Sequence, residues 1–164
     1  MGLGAILKYD GTKWSSQPID VVASFFGVWG INTNNVWAVG TPGGIVLKYN
    51  GLAWSTQPNG GGPFLSDVWG SDINNIWIVG LALLSKWDGM TWSAQPSSSN
   101  NWLNGIWGSD SQHVWVVGRS GEIRMYDGTS WSKQSSDTTN CIEGIWGSDA
   151  HNIWAVARRL DGEM

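Results

Sequence analysis

One unit containing three tryptophans occurs four times in this chain, and that repetition limits what the chain can fold into more than any other feature. Trp14, Trp54, Trp92 and Trp131 lie 40, 38 and 39 residues apart; Trp29, Trp69, Trp107 and Trp146 repeat those intervals, as do Trp37, Trp77, Trp115 and Trp154. Twelve of the 14 tryptophans therefore belong to one periodic pattern. Each copy reads [VI]-W-G, a loop related to G-S-D-x-N-N, [VI]-W-x-V, a short variable loop, a run like I-x-K-Y, an Asp-Gly or Asn-Gly turn, and W-S. A unit of this length cannot bury its apolar surface alone, so the copies must stack on one another.

Turn chemistry and alternation place four short strands in each copy and leave no room for helices. Asp10-Gly11, Asn50-Gly51, Asp88-Gly89 and Asp127-Gly128 separate a β-rich run from the next Trp, a hairpin signal because these residues tolerate positive φ. Asn32, Asp72, Asp110 and Asp149 mark Asx-type turns closing the preceding hairpin. The second strand, as in Val36-Trp37-Ala38-Val39 or Ile76-Trp77-Ile78-Val79, is apolar at consecutive positions and needs cover on both faces. The third alternates and the fourth is mostly polar, with Pro18, Pro58 and Pro96 after it in three copies. The result is a sheet running from a buried inner strand to a solvated edge blunted by proline. The expected fold is an all-β propeller of four-stranded antiparallel blades, with four blade-equivalents in the chain.

The string VWGxxxNN[VI]WxVG followed by KYDGxxW resembles the Trp-rich tandem blades of bacterial β-propellers, relatives of the Asp-box (sialidase-type) and lectin-type propellers. It departs from the Asp-box, which has a residue between Asp and Gly; here the two are adjacent. The resemblance implies a scaffold that binds glycans in some members and proteins in others.

The register of the repeat divides the chain as a single domain with one split blade. Residues 1–18 are the outer strands of that blade; 19–58, 59–96 and 97–135 are complete blades; 136–157 are the inner strands; and 158–164 are a tail outside the repeat. Joining the halves closes a ring and removes two sheet edges. Four blade-equivalents close either as a monomeric four-bladed ring or as a homodimeric eight-bladed one. The same pattern also fits a segment of a larger propeller.

Composition narrows the function classes. With 9 Lys plus Arg against 13 Asp plus Glu, the net charge is -4, which lacks the basic face that nucleic acid requires. No run approaches the 18 or more apolar residues of a membrane span, and the first residues lack a signal-peptide pattern, so the expectation is a soluble chain of unknown compartment. One cysteine, Cys141, excludes an internal disulfide, and the two histidines, His113 and His151, replace turn asparagines. One carboxylate per loop is too few for calcium, so neither metal nor cofactor is expected. A sialidase-type site needs clustered arginines, an acid and a Tyr–Glu pair, yet Glu122, Glu143, Glu163 and the four arginines all fall late in the chain. No enzyme is expected.

The repeated tryptophans read as core, since equivalent positions share packing duties. Trp87 falls in the Tyr9, Tyr49 and Tyr126 column and reads the same way. Trp102 differs: its column contains Ser24, Phe64 and Cys141, which share no structural duty. Cys141 itself reads as a passive buried thiol. The first-to-second and third-to-fourth connections are nearly constant and lie on one face of the disc. The loops between blades and between second and third strands vary and lie on the other face, where binding is usually written on a rigid scaffold. The expected ligand-binding residues are Phe64, Asn100, Asn101, Trp102, Arg119 and Asn140, taking a glycan or a protein. The alternative is a structural or assembly repeat with no small ligand.

Overall fold

The computed structural model describes residues 4–58, 62–96 and 101–159. A short hairpin, β1 (Leu7–Tyr9) and β2 (Trp14–Ser16), comes first. Three four-stranded antiparallel sheets follow in chain order. The first is β3 (Ser24–Asn32), β4 (Asn35–Thr41), β5 (Val46–Tyr49) and β6 (Trp54–Gln57). The second is β7 (Leu65–Asp72), β8 (Asn75–Gly80), β9 (Leu83–Trp87) and β10 (Trp92–Ala94). The third is β11 (Leu103–Asp110), β12 (His113–Gly118), β13 (Ile123–Tyr126) and β14 (Trp131–Gln134). A final pair, β15 (Cys141–Asp149) and β16 (Asn152–Arg158), ends the described chain. One 3-10 turn at Arg119–Gly121 interrupts the strands. Each sheet meanders in chain order, the blade pattern of a β-propeller.

The expected burial gradient is present. In β4, β8 and β12, Val39, Ile76, Ile78, Val79, Val114, Val116 and Val117 are fully buried, whereas the fourth strands are half-buried to exposed. The tryptophans face one another as cross-strand pairs. Trp29 opposes Trp37, Trp69 opposes Trp77, Trp107 opposes Trp115 and Trp146 opposes Trp154. On the outer strands the same pairing joins Tyr49 to Trp54, Trp87 to Trp92 and Tyr126 to Trp131. Directly opposed aromatic pairs fix register as well as adding stability.

The Asp-Gly turns use their two residues differently. Gly11, Gly51, Gly89 and Gly128 take φ of +100, +96, +99 and +92, while the Asp or Asn before each keeps a negative φ. The acid instead accepts with its side chain: Asp88 Oδ1 takes the N–H groups of Met90 and Thr91, both at 2.8 Å. Asp10, Asn50 and Asp127 do the same two and three residues on. The turn is therefore an Asx cap followed by a left-handed glycine, not a pair of left-handed residues.

Successive sheets pack through a repeated knob and socket. The first-strand Trp of one sheet lies on a first-strand glycine of the next: a Cβ on Gly70 would fall 2.9 Å from Trp29 Cη2, one on Gly108 2.5 Å from Trp69 Cη2, and one on Gly147 2.6 Å from Trp107 Cη2. Only glycine leaves room for the indole. Second-strand tryptophans cross the same boundary, with Trp77 meeting Tyr126 at 5.0 Å and Trp131 at 5.3 Å between ring centres.

The half blades stand at the two ends of this series. β1–β2 lies against the β3–β6 sheet, tied by the Gly4 N–H to the Ala23 carbonyl at 3.1 Å, and β15–β16 packs on the β11–β14 sheet. They are separate two-stranded sheets, with no ladder between them. β16 runs to Arg158, which pairs with Cys141. Among the described residues, no helix is long and apolar enough to cross a membrane.

Candidate functional site

Each first strand carries a β-bulge at the same place, and the four bulges build the site. The register shifts between Phe25 and Gly27, Leu65 and Asp67, Leu103 and Gly105, and Ile142 and Gly144. The skipped residues are Phe26, Ser66, Asn104 and Glu143. A bulge redirects the side chain of its extra residue, and all four of these line one cavity of about 290 Å³. Phe64 and Trp102, just before β7 and β11, and Cys141 at the start of β15 complete its wall with Arg119, just after β12, and Arg158 at the end of β16. The cavity thus draws residues from all three whole sheets and from β15–β16, on the face of the variable loops.

One side of the cavity is an aromatic row ending in a cation. Phe26 and Phe64 lie 4.6 Å apart between centres, Phe64 meets Trp102 edge-on at 4.9 Å, and the Arg119 guanidinium sits 4.5 Å from the Trp102 ring. Trp102 Nε1 donates to Ser66 Oγ at 3.2 Å, and Leu81 bridges to Trp102 across the sheet boundary. The opposite side is polar. Asn104 Nδ2 donates to the Ile142 carbonyl at 2.8 Å and to Cys141 Sγ at 3.2 Å, and Arg158 Nε donates to Glu143 Oε1 at 3.0 Å. Phe26 is about half exposed, so the aromatic row opens to solvent. Such a wall offers stacking and apolar contact beside fixed positive charge.

Of the residues singled out from sequence, Phe64, Trp102 and Arg119 come together here. Asn140 does not line this cavity. Its carbonyl accepts the Gly121 N–H at 2.8 Å, and it borders a shallower polar hollow of about 520 Å³ with Ser120, Lys133 and residues 134–139. Asn101 is half-buried and outside both linings, and Asn100 lies outside the described residues. Trp102 is half-buried, bridged to Leu81 and wedged between Phe64 and Arg119. Arg158, placed in the tail by the repeat, is a strand residue of the site. Cys141 is buried as expected and is one of the residues lining the wall.

Phe26, Ser66, Asn104 and Glu143 escape a reading confined to loops, because they sit inside strands. Their column still carried a signal, since it holds four different residue types beside the constant tryptophans.

One residue further along β7, Asp67 replaces the glycine found at positions 27, 105 and 144. Burial pushes its carboxyl up to about 6, even though its oxygens accept the Ile106 N–H at 3.0 Å and the Val68 N–H at 2.8 Å. It joins the second and third whole sheets, and the Gly27 backbone presses against it from the first. The turn carboxylates on the other face behave oppositely. Asp10 is held at about 2 by the Thr12 hydroxyl and then by the Lys13 and Thr12 N–H groups. Asp88 and Asp127 are lowered by backbone N–H donors in the same way. His113 takes the place of the turn amide there, with Nδ1 3.0 Å from Asp110. Among the described residues, no three His, Cys, Asp or Glu side chains form a metal-binding group.

No protein-family model matches the chain, and no curated protein does. Solved structures do. One described as YCF48 bound to D1 peptide superposes with a TM-score of 0.65 at 14% identity, covering 90% of this chain and 52% of that one. Another, YCF48 from Cyanidioschyzon merolae, gives a TM-score of 0.69 at 13% identity, covering 90% of this chain and 58% of that one. YCF48 is a β-propeller, and the likeness shows the same fold for this chain. The chain spans just over half the length of these neighbours.

Proposed function

We propose that the chain is a non-enzymatic binding module that takes a segment of another protein at the cavity bounded by Phe26, Phe64, Trp102 and Arg119. The observation that carries this reading is the convergence of four bulged residues, one from each first strand, on a solvent-open row of aromatic rings capped by a guanidinium. Rings held by their neighbours lose little freedom when a ligand stacks on them, and aromatic and arginine anchors dominate peptide affinity. A protein segment is favoured over a glycan by the company of the fold: one structural neighbour is a complex with a peptide. Arg119 beside Trp102 suits a segment that places an acidic group next to an apolar or aromatic one.

The test is a random peptide library selected on the immobilised chain, run in parallel with a glycan array. The proposal expects peptides whose binding falls in Trp102→Ala and Arg119→Ala. Glycan hits displaced by free sugar, with no peptide enriched, would replace the protein ligand by a carbohydrate. Peptides that bind both variants unchanged would move the site elsewhere.

A further inference from the structure

The aromatic cavity and the polar hollow beside it share a ridge. Arg119 lines the cavity, and Ser120 and Gly121, the next residues in the chain, line the hollow; Asn140 lines the hollow, and Cys141, the next residue, lines the cavity. The ridge is fixed by the Gly121 N–H, which donates to the Asn140 carbonyl at 2.8 Å, and by the Arg119 N–H, which donates to the Trp102 carbonyl at 3.0 Å. The row of Phe26, Phe64, Trp102 and Arg119 therefore ends where the hollow begins.

Size divides the work between the two. The cavity measures about 290 Å³ and the hollow about 520 Å³. Sites that enclose a whole ligand usually offer about 300–1,000 Å³, so the cavity alone suits an anchor and its neighbour, whereas the pair suits a longer segment. The steps of the aromatic row, 4.6, 4.9 and 4.5 Å, match no more than about four residues of extended chain at about 3.3 Å each. A segment anchored there that runs past Arg119 enters the hollow.

The hollow is already built. Two of the three non-glycine residues with positive φ among the described residues, Ser120 at 57 and Asp137 at 52, line it, and such strain concentrates where loops hold ligands. Gly121 also has a positive φ, and a Cβ on it would collide with the Thr138 carbonyl. The Ser136 hydroxyl donates to the Gly121 carbonyl at 2.7 Å, and the Asn140 N–H donates to the Thr138 hydroxyl at 3.1 Å. A loop pinned in this way has little freedom left to lose on binding.

The chemistry of the lining selects the occupant. Lys133 lies 3.7 Å from Glu122, which also takes Arg124, and Asp137 balances the second cation. The Ser120 and Thr139 hydroxyls and the Asn140 carboxamide have no hydrogen-bond partner among the described residues. These groups suit main-chain amides and neutral polar side chains. No aromatic ring lines the hollow to give a sugar a face to stack on.

We infer, building on the peptide reading of the cavity, that cavity and hollow form one two-part peptide groove. The cavity takes an apolar or aromatic residue with its acidic neighbour, and the hollow takes the adjoining stretch of uncharged polar residues, held by its main-chain amides and by hydroxyl or carboxamide side chains.

The probe is a displayed library of peptides of about twelve residues, long enough at about 3.3 Å each to cover both parts, selected on the whole chain. Each enriched peptide is compared with its own fragment of about four residues that keeps the apolar–acidic anchor. The full peptide is expected to bind about tenfold more tightly, the margin of two or three net hydrogen bonds. Thr139→Ala combined with Asn140→Ala is expected to remove that margin and leave the affinity of the fragment unchanged, which also shows that the variant is folded. Ser120→Gly, which keeps the left-handed backbone without strain, is expected to remove part of it from the other side of the ridge. A fragment that binds as tightly as the full peptide overturns the groove and leaves the cavity reading standing. So does a full peptide that binds the double variant unchanged, or a loss there that fragment and peptide share equally. Full peptides that lose affinity in the double variant but bind Trp102→Ala unchanged make the hollow a separate site and overturn both readings, as does a library from which no peptide is enriched.

Discussion

Trp77 and Trp154 occupy the same column of the repeat, each follow an isoleucine and precede a valine by two residues, and each oppose the first-strand Trp of their own sheet, yet one is fully buried and the other is 72% exposed. The difference lies wholly in the neighbour. Trp77 has Tyr126 and Trp131 of the next sheet across from it, whereas among the described residues no sheet follows β15–β16 across from Trp154. A repeat column therefore sets where a side chain points, and the next copy sets what its burial contributes.

The largest expected effect separates these two residues. Trp77→Ala removes a fully buried indole and should destabilise the fold by about 3–5 kcal/mol. Trp154→Ala removes an indole that is 72% exposed and should cost less than about 1 kcal/mol. Urea unfolding of the two variants checks both. Equal losses would show that the neighbouring sheet does not set what the indole contributes.

Next in size is the contrast between Asp67 and the turn carboxylates. Asp67 has a folded value of about 6 against an ordinary 3.8, so its contribution is fully present below the ordinary value and is lost as pH rises through 6. The loss is at most about 3 kcal/mol, from about two units at 1.36 kcal/mol each. Asp67→Asn should flatten the fall in melting temperature between roughly pH 4 and pH 6. The lowered carboxylates of Asp10, Asp88 and Asp127 act in the other direction: their contribution is present above the ordinary carboxylate range and is lost on acidification. Acid unfolding should therefore survive in the Asp67 variant while the upper slope disappears.

The socket glycines sharpen the comparison further. Gly108→Ala forces a methyl against Trp69 and should cost about 1–3 kcal/mol by overpacking. A thermal melt no lower than wild type would show that the indole swings away without loss and that the socket does not set the packing.

Trp102→Ala gives a small effect on folding and the most specific one on function. Because the ring is half-buried against Phe64, stability should fall by about 1 kcal/mol, less than for Trp77, while affinity for a selected peptide falls by about 1–3 kcal/mol. Equal losses in stability and affinity would reduce Trp102 to a packing residue.

Much of the fold was legible because tryptophan spacing and Asx–Gly turns are local signals. They located the strands of every copy and the split between β1–β2 and β15–β16. That those halves stand as separate two-stranded sheets was not legible, since it depends on the angle between sheets, which the Trp–Gly sockets set in three dimensions. For the site, Phe64, Trp102 and Arg119 stood out as departures from their columns. Phe26, Ser66, Asn104 and Glu143 did not, because a bulge breaks the alternation that assigns strand residues to faces. Asp67 was visible as the one acid in a glycine column, but only its burial shows what that substitution does.

The fourteen tryptophans also supply the most direct test of the binding face, since each indole N–H gives its own NMR signal. Adding a library-selected peptide should shift the Trp102 signal strongly and leave those of Trp54, Trp92 and Trp131, next to the constant turns of the opposite face, in place. Shifts at Trp54, Trp92 and Trp131 with Trp102 unmoved would put the ligand on the constant-turn face and contradict the account.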